Sequence, residues 1–98
     1  MKIETVVYKV RITKEFKKQL KKMIKQGKDL SKLEHVITLL ANKQELDICY
    51  KNHLLNNSKH YKNCGECHIE PDWLLVYQYQ EQHLILLLLA TGSHSELF

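Results

Sequence analysis

The chain has few of the residues that interrupt or cross-link a fold: one proline, three glycines and three cysteines in 98 residues. It also has a single arginine, Arg11. An odd number of cysteines fits reduced thiols in a cytoplasm better than a disulfide framework. With 44% hydrophobic and 27% charged residues, the composition is that of an ordinary globular domain. We therefore expect residues 1–98 to form one domain with a single modest core.

Long apolar runs are absent as well. The longest, Leu84 to Ala90, has the length of a strand and falls far short of the roughly 20 residues that a membrane-spanning helix needs. Charged residues at Lys2 and Glu4 come before any hydrophobic stretch, so no secretory signal is predicted. These absences predict a cytoplasmic protein that has no membrane partner.

Basic residues are concentrated at the front of the chain. Residues 1–33 contain eleven Lys or Arg and three acidic residues, whereas residues 34–98 contain four and eight. The net charge of +4 permits a nucleic-acid partner without requiring one. Six lysines share the polar face of the first predicted helix: Lys17, Lys18, Lys21, Lys22, Lys25 and Lys28. Such a face is usually only solvated, but it is also the charge pattern of an RNA-docking surface.

The sequence as far as about Asn42 predicts a strand followed by two helices. Alternation from Glu4 to Thr13 predicts the strand. Thr13 is suited to cap a helix that ends near Gly27. Ser31 is suited to begin a second helix that ends near Asn42. The apolar stripe of the first helix consists of Phe16, Leu20, Met23 and Ile24.

The rest of the sequence predicts a loop followed by an antiparallel meander of three strands. Residues 43–63 are polar and irregular, which indicates a loop. Three strand-like runs follow, Cys64 to Glu70, Trp73 to Tyr79, and Leu84 to Thr91. The pattern predicts an α+β fold in which the N-terminal strand and two helices pack on an antiparallel β-sheet.

Cys64, Cys67 and His68 form a C-x-x-C-H motif, which is typical of covalent haem attachment. In an extended strand, however, the two cysteines point to opposite faces, so they cannot share a ligand. Structural zinc is a second alternative, but the chain has only one C-x-x-C pair. We expect reduced thiols, one of them buried, and neither a metal nor another cofactor.

Four polar residues lie where strands of the predicted sheet begin or end. His53 precedes the meander, His68 and Asp72 flank a proline turn, and His94 follows the last strand. Strand ends far apart in sequence can converge in a sheet. Imidazoles with a carboxylate make an acid–base set that works near neutral pH. The two histidines at positions 35 and 83 are expected to be ordinary surface residues.

Three blocks of sequence resemble the YafQ branch of the RelE-like bacterial toxins. The blocks are Tyr50 to His53, His68 to Tyr77 (H-x-x-P-D-W-L-L-x-Y) and Thr91 to Phe98 (T-G-S-H-x-x-L-F). The resemblance implies a RelE-like fold and a ribosome-dependent mRNA endonuclease that uses no metal. In such enzymes the ribose 2′-OH attacks the neighbouring phosphate, which requires a base, an acid and positive charge.

The resemblance also implies roles for individual residues. It places His53, His68, Asp72 and His94 in the catalytic set. Trp73 and Phe98 would position or stack on bases, Lys59 and Lys62 would contact substrate, and the six helix lysines would dock on ribosomal RNA. The implied partners are a cognate antitoxin, mRNA and ribosomal RNA in the decoding site, and operator DNA reached only through the antitoxin.

Two positions depart from the pattern of these toxins. Gly65 and Ala90 stand where relatives usually carry arginines, whose charge suits phosphate contacts. Lys59, His60 or Lys62 are candidates to supply the missing charge. The alternative interpretation is a toxin-fold protein that binds an antitoxin, and perhaps the ribosome, without efficient cleavage.

Overall fold

The computed structural model describes residues 7–55 and 59–98. The start of the predicted first strand and part of the predicted loop, residues 1–6 and 56–58, lie outside the described residues. The elements in chain order are β1 (Lys9–Ile12), α1 (Lys14–Lys25), α2 (Leu30–Ala41), a 3₁₀ helix (Ile48–Tyr50), β2 (His53–Leu55), β3 (Cys64–Glu70), β4 (Trp73–Gln80), a second 3₁₀ helix (Glu81–His83), β5 (Ile85–Gly92) and α3 (His94–Leu97).

The five strands form one sheet in the order β1-β5-β4-β3-β2. Strands β2 to β5 pair in antiparallel fashion, as the meander predicted. β1, however, pairs with β5 in parallel, with Lys9 opposite Ile85. The predicted α+β fold is confirmed, and the N-terminal strand extends the antiparallel meander as a parallel edge strand. A parallel neighbour needs a long crossover, and helices α1 and α2 lie in the connection that follows β1.

Local sequence signals correctly predicted both long helices, but the residue predicted to cap α2 was wrong. Thr13 caps α1, and its hydroxyl accepts a hydrogen bond from the Phe16 N–H at 3.0 Å. For α2 the cap is Asp29 rather than Ser31, and its carboxylate accepts the Ser31 N–H at 3.0 Å. The Ser31 hydroxyl donates to the same carboxylate at 2.6 Å, and this bond, followed by the one from the Ser31 N–H, lowers the pKa of Asp29. The predicted loop over residues 43–63 contains β2, because a three-residue strand has too little periodicity to be recognised.

The two faces of the sheet bury different clusters. The larger cluster lies under α1 and α2, and β4 contributes Trp73, Leu75 and Tyr77 to it. The smaller cluster lies under α3, whose Leu97 packs with residues of β3, β4 and β5: Cys64, Leu74, Val76 and Ala90. Adjacent residues of β3 and β4 therefore face opposite sides. The side that bears α3 is the one that carries the candidate site.

A β-bulge in β5 decides which face position 90 occupies. Tyr77 pairs with Leu88 and Val76 with Ala90, so Leu89 is an extra residue. Simple alternation would place Ala90 on the same side as Leu88. Because of the bulge, Leu88 belongs to the larger cluster and Ala90 to the smaller one.

In the part of the chain that the structure describes, no helix is long and apolar enough to cross a membrane.

Candidate active site

The centre of the site is a buried carboxylate between two imidazoles. Glu66 is only 5% exposed and lies on β3, directly opposite His53 of β2. Its Oε1 is 3.5 Å from His53 Nε2 and 3.6 Å from His68 Nε2. His68 is two residues along β3, so both side chains project from the same face. The structure therefore brings His53 and His68 together through Glu66, a residue that the sequence analysis did not select.

Backbone carbonyls orient the two rings. Nδ1 of His53 lies 2.7 Å from the Lys51 carbonyl oxygen, and Nδ1 of His68 lies 3.1 Å from the Pro71 carbonyl oxygen. A carbonyl only accepts hydrogen bonds, so each Nδ1 carries a proton and donates it. Lys51 adopts a left-handed conformation, with φ 49° and ψ 42°, after the 3₁₀ helix. The Nε2 atom of each ring is the one that faces Glu66.

One carboxylate thus lies beside two imidazoles on the same face of the sheet. Acid–base catalysis needs one group that accepts a proton and one that donates a proton, and a nearby carboxylate stabilises an imidazolium. The geometry therefore brings together the groups that such chemistry uses.

Asp72 and His94 form a second group, which is joined to the first by the β3–β4 turn. Oδ1 of Asp72 accepts the backbone N–H of His94 at 3.0 Å, which fixes the start of α3. Pro71, whose carbonyl holds His68, precedes Asp72 in that turn. Both Asp72 and His94 are exposed to solvent. All four residues predicted as catalytic therefore belong to one connected surface, on which Asp72 contacts the backbone of His94.

Aromatic rings line the α3 side of this surface. Phe98 is 48% exposed, and its ring centroid is 5.3 Å from that of His94. The Tyr61 ring meets Phe98 edge-on, with 5.7 Å between centroids. Tyr61 comes from the predicted loop and packs against the smaller cluster, so sequence reasoning missed it. Phe98 keeps exposed ring surface, as a base-stacking residue requires.

Trp73 does not belong to this surface, contrary to the sequence prediction. It is 0% exposed and lies in the larger cluster under the helices. Its indole N–H donates to the Thr91 hydroxyl at 2.9 Å, and that hydroxyl donates to the Leu74 carbonyl at 2.8 Å. An indole enclosed in this way has no face to offer a base. We therefore assign Trp73 a structural role beneath the β3–β4 turn.

Helix α3 is anchored by Glu96, which the sequence analysis also passed over. The Glu96 carboxylate accepts the backbone N–H of Ser93 at 2.9 Å and closes a capping box. It also pairs with Lys22 of α1. The bond from Lys22, followed by those from Ser93, lowers the pKa of Glu96 to about 2. Because α3 carries His94 and ends beside Phe98, this anchor holds two candidate site residues in place.

Glu96→Gln is expected to lower stability at neutral pH and to leave it unchanged in strong acid. A carboxyl whose pKa falls on folding stabilises the fold above its ordinary value near 4.5 and loses that effect as the pH drops towards 2. Thermal unfolding measured from pH 2 to pH 7 tests this expectation. The gap between wild type and variant should be constant above about pH 5 and close at lower pH. A gap that does not depend on pH would contradict the assignment.

The predicted RNA-contacting lysines occupy two regions. Lys22 of α1 pairs with Glu96, and four further predicted lysines are exposed on α1. Lys28 lies after the end of α1, in the connection to α2, and pairs with Glu70. Lys59 and Lys62 are exposed on the loop that carries Tyr61, whose ring contacts Phe98. The helix lysines and the loop lysines therefore belong to different elements.

Both positions at which the resemblance predicts an arginine, Gly65 and Ala90, are closed by packing. Gly65 lies beneath the Tyr77 ring, and a Cβ built there would be 2.4 Å from Tyr77 Cζ. It faces the helix side of the sheet, away from Glu66 and His68. Ala90 is 0% exposed and is covered by Leu97 of α3. Neither position is open to the surface that bears the histidines.

The cysteines do not form a shared site. Cys64 belongs to the smaller cluster and Cys67 to the larger, which confirms that they face opposite sides. Both are buried, whereas only one was expected to be, and Cys49 is exposed. Burial raises the pKa of Cys64, and raises that of Cys67 to about 12, so both thiols stay protonated. Within residues 7–55 and 59–98, no group of three or more His, Cys, Asp or Glu side chains is placed to hold a metal ion.

Solved structures with the same architecture were found. A metal-bound toxin from Helicobacter pylori is 44% identical, with a TM-score of 0.87 over 93% of this chain and 99% of the toxin. YafQ in the Escherichia coli DinJ–YafQ complex is 35% identical, with a TM-score of 0.81 over 93% of this chain and 98% of the solved chain. The fold and the site therefore define a RelE-like bacterial toxin.

Sequence comparison gives the family. The model for the bacterial toxin of type II toxin–antitoxin system, YafQ, matches residues 8–98. The mRNA interferase toxin YafQ of Escherichia coli strain B is 38% identical over 85 residues, which span 86% of this chain and 88% of that toxin. This chain belongs to the YafQ family of type II toxins.

Proposed function

We propose that this chain is an mRNA interferase, an endoribonuclease that cuts mRNA on the ribosome and so arrests translation. The observation that carries the proposal is the buried Glu66 carboxylate between His53 and His68, with both Nδ1 atoms held by backbone carbonyls. Cleavage by an internal 2′-OH needs a base on one side of the phosphate and an acid on the other. Two imidazoles that share one carboxylate meet that need.

In the proposed reaction, a neutral imidazole takes the proton of the ribose 2′-OH, and the oxygen attacks the adjacent phosphorus. The bond from phosphorus to the 5′ oxygen breaks, and an imidazolium donates its proton to the leaving oxygen. The products are a 2′,3′-cyclic phosphate and a free 5′-OH. The imidazole that accepts a proton ends as an imidazolium, the one that donates ends neutral, and the Glu66 carboxylate lies beside both rings.

The other residues of the surface bind and orient the RNA in this proposal. His94 and Asp72 complete the acid–base and phosphate-contacting set, and Phe98 stacks on a base with its exposed ring. Lys59 and Lys62 provide positive charge for the developing phosphorane, in place of the arginines of relatives. No step requires a metal, since proton transfer and lysine charge supply the chemistry.

The proposed partners are an antitoxin, mRNA and the ribosome. YafQ of Escherichia coli was solved in a complex with DinJ, which supports an antitoxin as the neutralising partner. The exposed lysines of α1 would dock on ribosomal RNA. Operator DNA would be contacted only through the antitoxin.

His68→Ala and His94→Ala are each expected to relieve the growth arrest that follows expression of the chain without an antitoxin. The reason is that each removes an imidazole from the acid–base set, a loss that typically slows catalysis by about 10²- to 10⁴-fold. Mapping of mRNA ends on translating ribosomes would show cleavage with wild type and little with either variant. His83→Ala is a matched control, since this surface histidine lies on the Glu81–His83 3₁₀ helix.

Two further outcomes separate the alternatives. Intact mRNA and normal growth with wild type would overturn the enzymatic proposal and favour a toxin-fold protein that binds antitoxin without cleaving. Because a Helicobacter pylori relative was solved with a metal, cleavage should also be measured with protein that has been treated with EDTA and then dialysed free of it before it is added to ribosomes. Unchanged cleavage supports the metal-independent mechanism, and its loss with recovery on adding a metal would overturn that part.

A further inference from the structure

A second concave surface adjoins the candidate site. A cleft of about 490 Å³ is bounded by the start of α2, the Ile48–Tyr50 3₁₀ helix and the end of β3. Its volume is within the range of pockets that bind small ligands. Three elements that are distant in sequence form its walls, so no local motif pointed to it.

The cleft and the candidate site share three residues, His68, Lys51 and Pro71, the last through the carbonyl that holds the His68 ring. His68 lines the cleft, and its imidazole also contacts Glu66. Lys51 lines it as well, while its backbone carbonyl accepts the hydrogen bond from His53 Nδ1. An RNA strand placed at the histidine pair would therefore have the cleft as its immediate neighbour.

The chemistry of the walls suits a nucleotide. Lys32, Lys51 and His35 bring basic groups to the cleft. Glu70 is the carboxylate in its wall, and Lys28 and Lys32 pair with it at 3.1 and 2.8 Å. The balance is positive, as a phosphate requires.

The same walls provide a place for a base. Tyr50 is half-buried beside the cleft, and Ile69 and Pro71 add apolar surface. Grooves for single-stranded RNA combine basic groups along the backbone with an aromatic ring for a base.

We propose that this cleft is a subsite for a nucleotide of the RNA strand that flanks the scissile pair, with the phosphate near Lys51 and His35 and the base against Tyr50. The inference rests on the proposed function, because it takes the strand at the histidine pair to be RNA. The cleft adds a specificity-determining surface to that function. Through it, the protein would recognise a nucleotide beyond the two at the cleavage position.

The test compares two RNAs that cannot be cleaved because the ribose at the scissile position is 2′-deoxy. One is a dinucleotide that covers only the cut, and the other is a tetranucleotide extended by one nucleotide on each side. His35→Glu should weaken tetranucleotide binding by about tenfold and dinucleotide binding by less than about twofold, because it places a negative charge in the cleft. His83→Glu is the matched control, since it makes the same charge change at an exposed histidine outside the cleft, on the Glu81–His83 3₁₀ helix.

NMR spectra of the wild-type chain provide an independent measurement. The tetranucleotide should shift the amide signals of Ser31, Lys32 and Tyr50, and the dinucleotide should shift only those around Glu66 and His68. Lys51→Gln, which keeps the carbonyl that holds His53, serves as a second variant if His35→Glu does not fold. In Lys51→Gln, the slope of log affinity against log salt concentration for the tetranucleotide should become shallower by about one, the contribution of a single phosphate contact.

The outcomes distinguish the two proposals. If the tetranucleotide shifts only the signals around Glu66 and His68, and His35→Glu binds it as tightly as His83→Glu, the subsite is overturned and the proposed function stands. If neither RNA binds, the subsite is overturned, while the proposed function is decided separately by the mapping of mRNA ends on translating ribosomes. If inorganic phosphate alone produces the same shifts at Ser31 and Lys32 and the tetranucleotide gains nothing from its extra bases, a simple anion site replaces the nucleotide subsite.

Discussion

Replacing Glu66 with glutamine is expected to slow RNA cleavage on the order of 10²-fold while leaving the fold intact. The carboxylate is 5% exposed and lies 3.5 and 3.6 Å from the two imidazole Nε2 atoms. A neutral amide of the same shape removes the charge that stabilises the imidazolium of the pair. Because Glu66 acts through His53 and His68 and not on the RNA itself, the loss should be in kcat with little change in KM.

Three companion measurements separate this positioning role from a general loss of structure. Glu66→Asp keeps the charge and should recover part of the activity, while Glu34→Gln neutralises an exposed carboxylate on α2 and should cleave as wild type does. Imidazole ¹⁵N NMR should show protonated Nδ1 atoms in His53 and His68 of the wild type. A Glu66→Gln chain that cleaves at the wild-type rate would remove the carboxylate from the mechanism.

Introducing at position 65 the arginine that the resemblance predicts is expected to destabilise this chain rather than activate it. Even the Cβ of an alanine at Gly65 would be 2.4 Å from Tyr77 Cζ. Tyr77 packs in the larger cluster, and its hydroxyl donates to the Asn52 side chain. Moving the ring gives up these contacts, and overpacking of this kind costs about 1–3 kcal/mol for Gly65→Ala. The longer side chain of Gly65→Arg should cost at least as much.

Chemical unfolding of single and double variants provides the test. If the clash with Tyr77 is the cause, Gly65→Ala should be much less harmful when combined with Tyr77→Leu, which frees the space above position 65. Additive losses in the double variant would show that the ring is not the obstacle. Increased mRNA cleavage by Gly65→Arg with unchanged stability would contradict the packing argument and support a missing site arginine.

The expected effect at position 65 bears on how a chain with a single arginine could supply positive charge to RNA. Gly65 faces the helix side of the sheet and Ala90 lies beneath α3, so neither position leaves an open gap on the histidine surface. Lysines occupy the accessible places instead, on the loop beside Phe98 and in the cleft next to His68. Lysine gives a single point of charge where arginine gives a planar fork, which suits binding of a phosphate but orients it less strictly.

The sequence by itself determined the elements whose signals are local. Periods of 3.6 and 2 residues located α1, α2 and the three long strands, and motifs at strand ends selected His53, His68, Asp72 and His94. Hydrogen bonds within a helix, and alternation within a strand, involve only residues a few positions apart. Such signals can therefore be recognised in a short window of the sequence without knowledge of the rest of the fold.

The tertiary structure decided everything that depends on register between distant segments. The pairing of β2 with β3 sets Glu66 opposite His53, and a single extra residue at Leu89 moves Ala90 to the face under α3. Burial of Trp73 likewise follows from how α1 and α2 cover the sheet. A shift of one residue in strand pairing exchanges the two faces of a sheet, and no local pattern in this chain specifies that register.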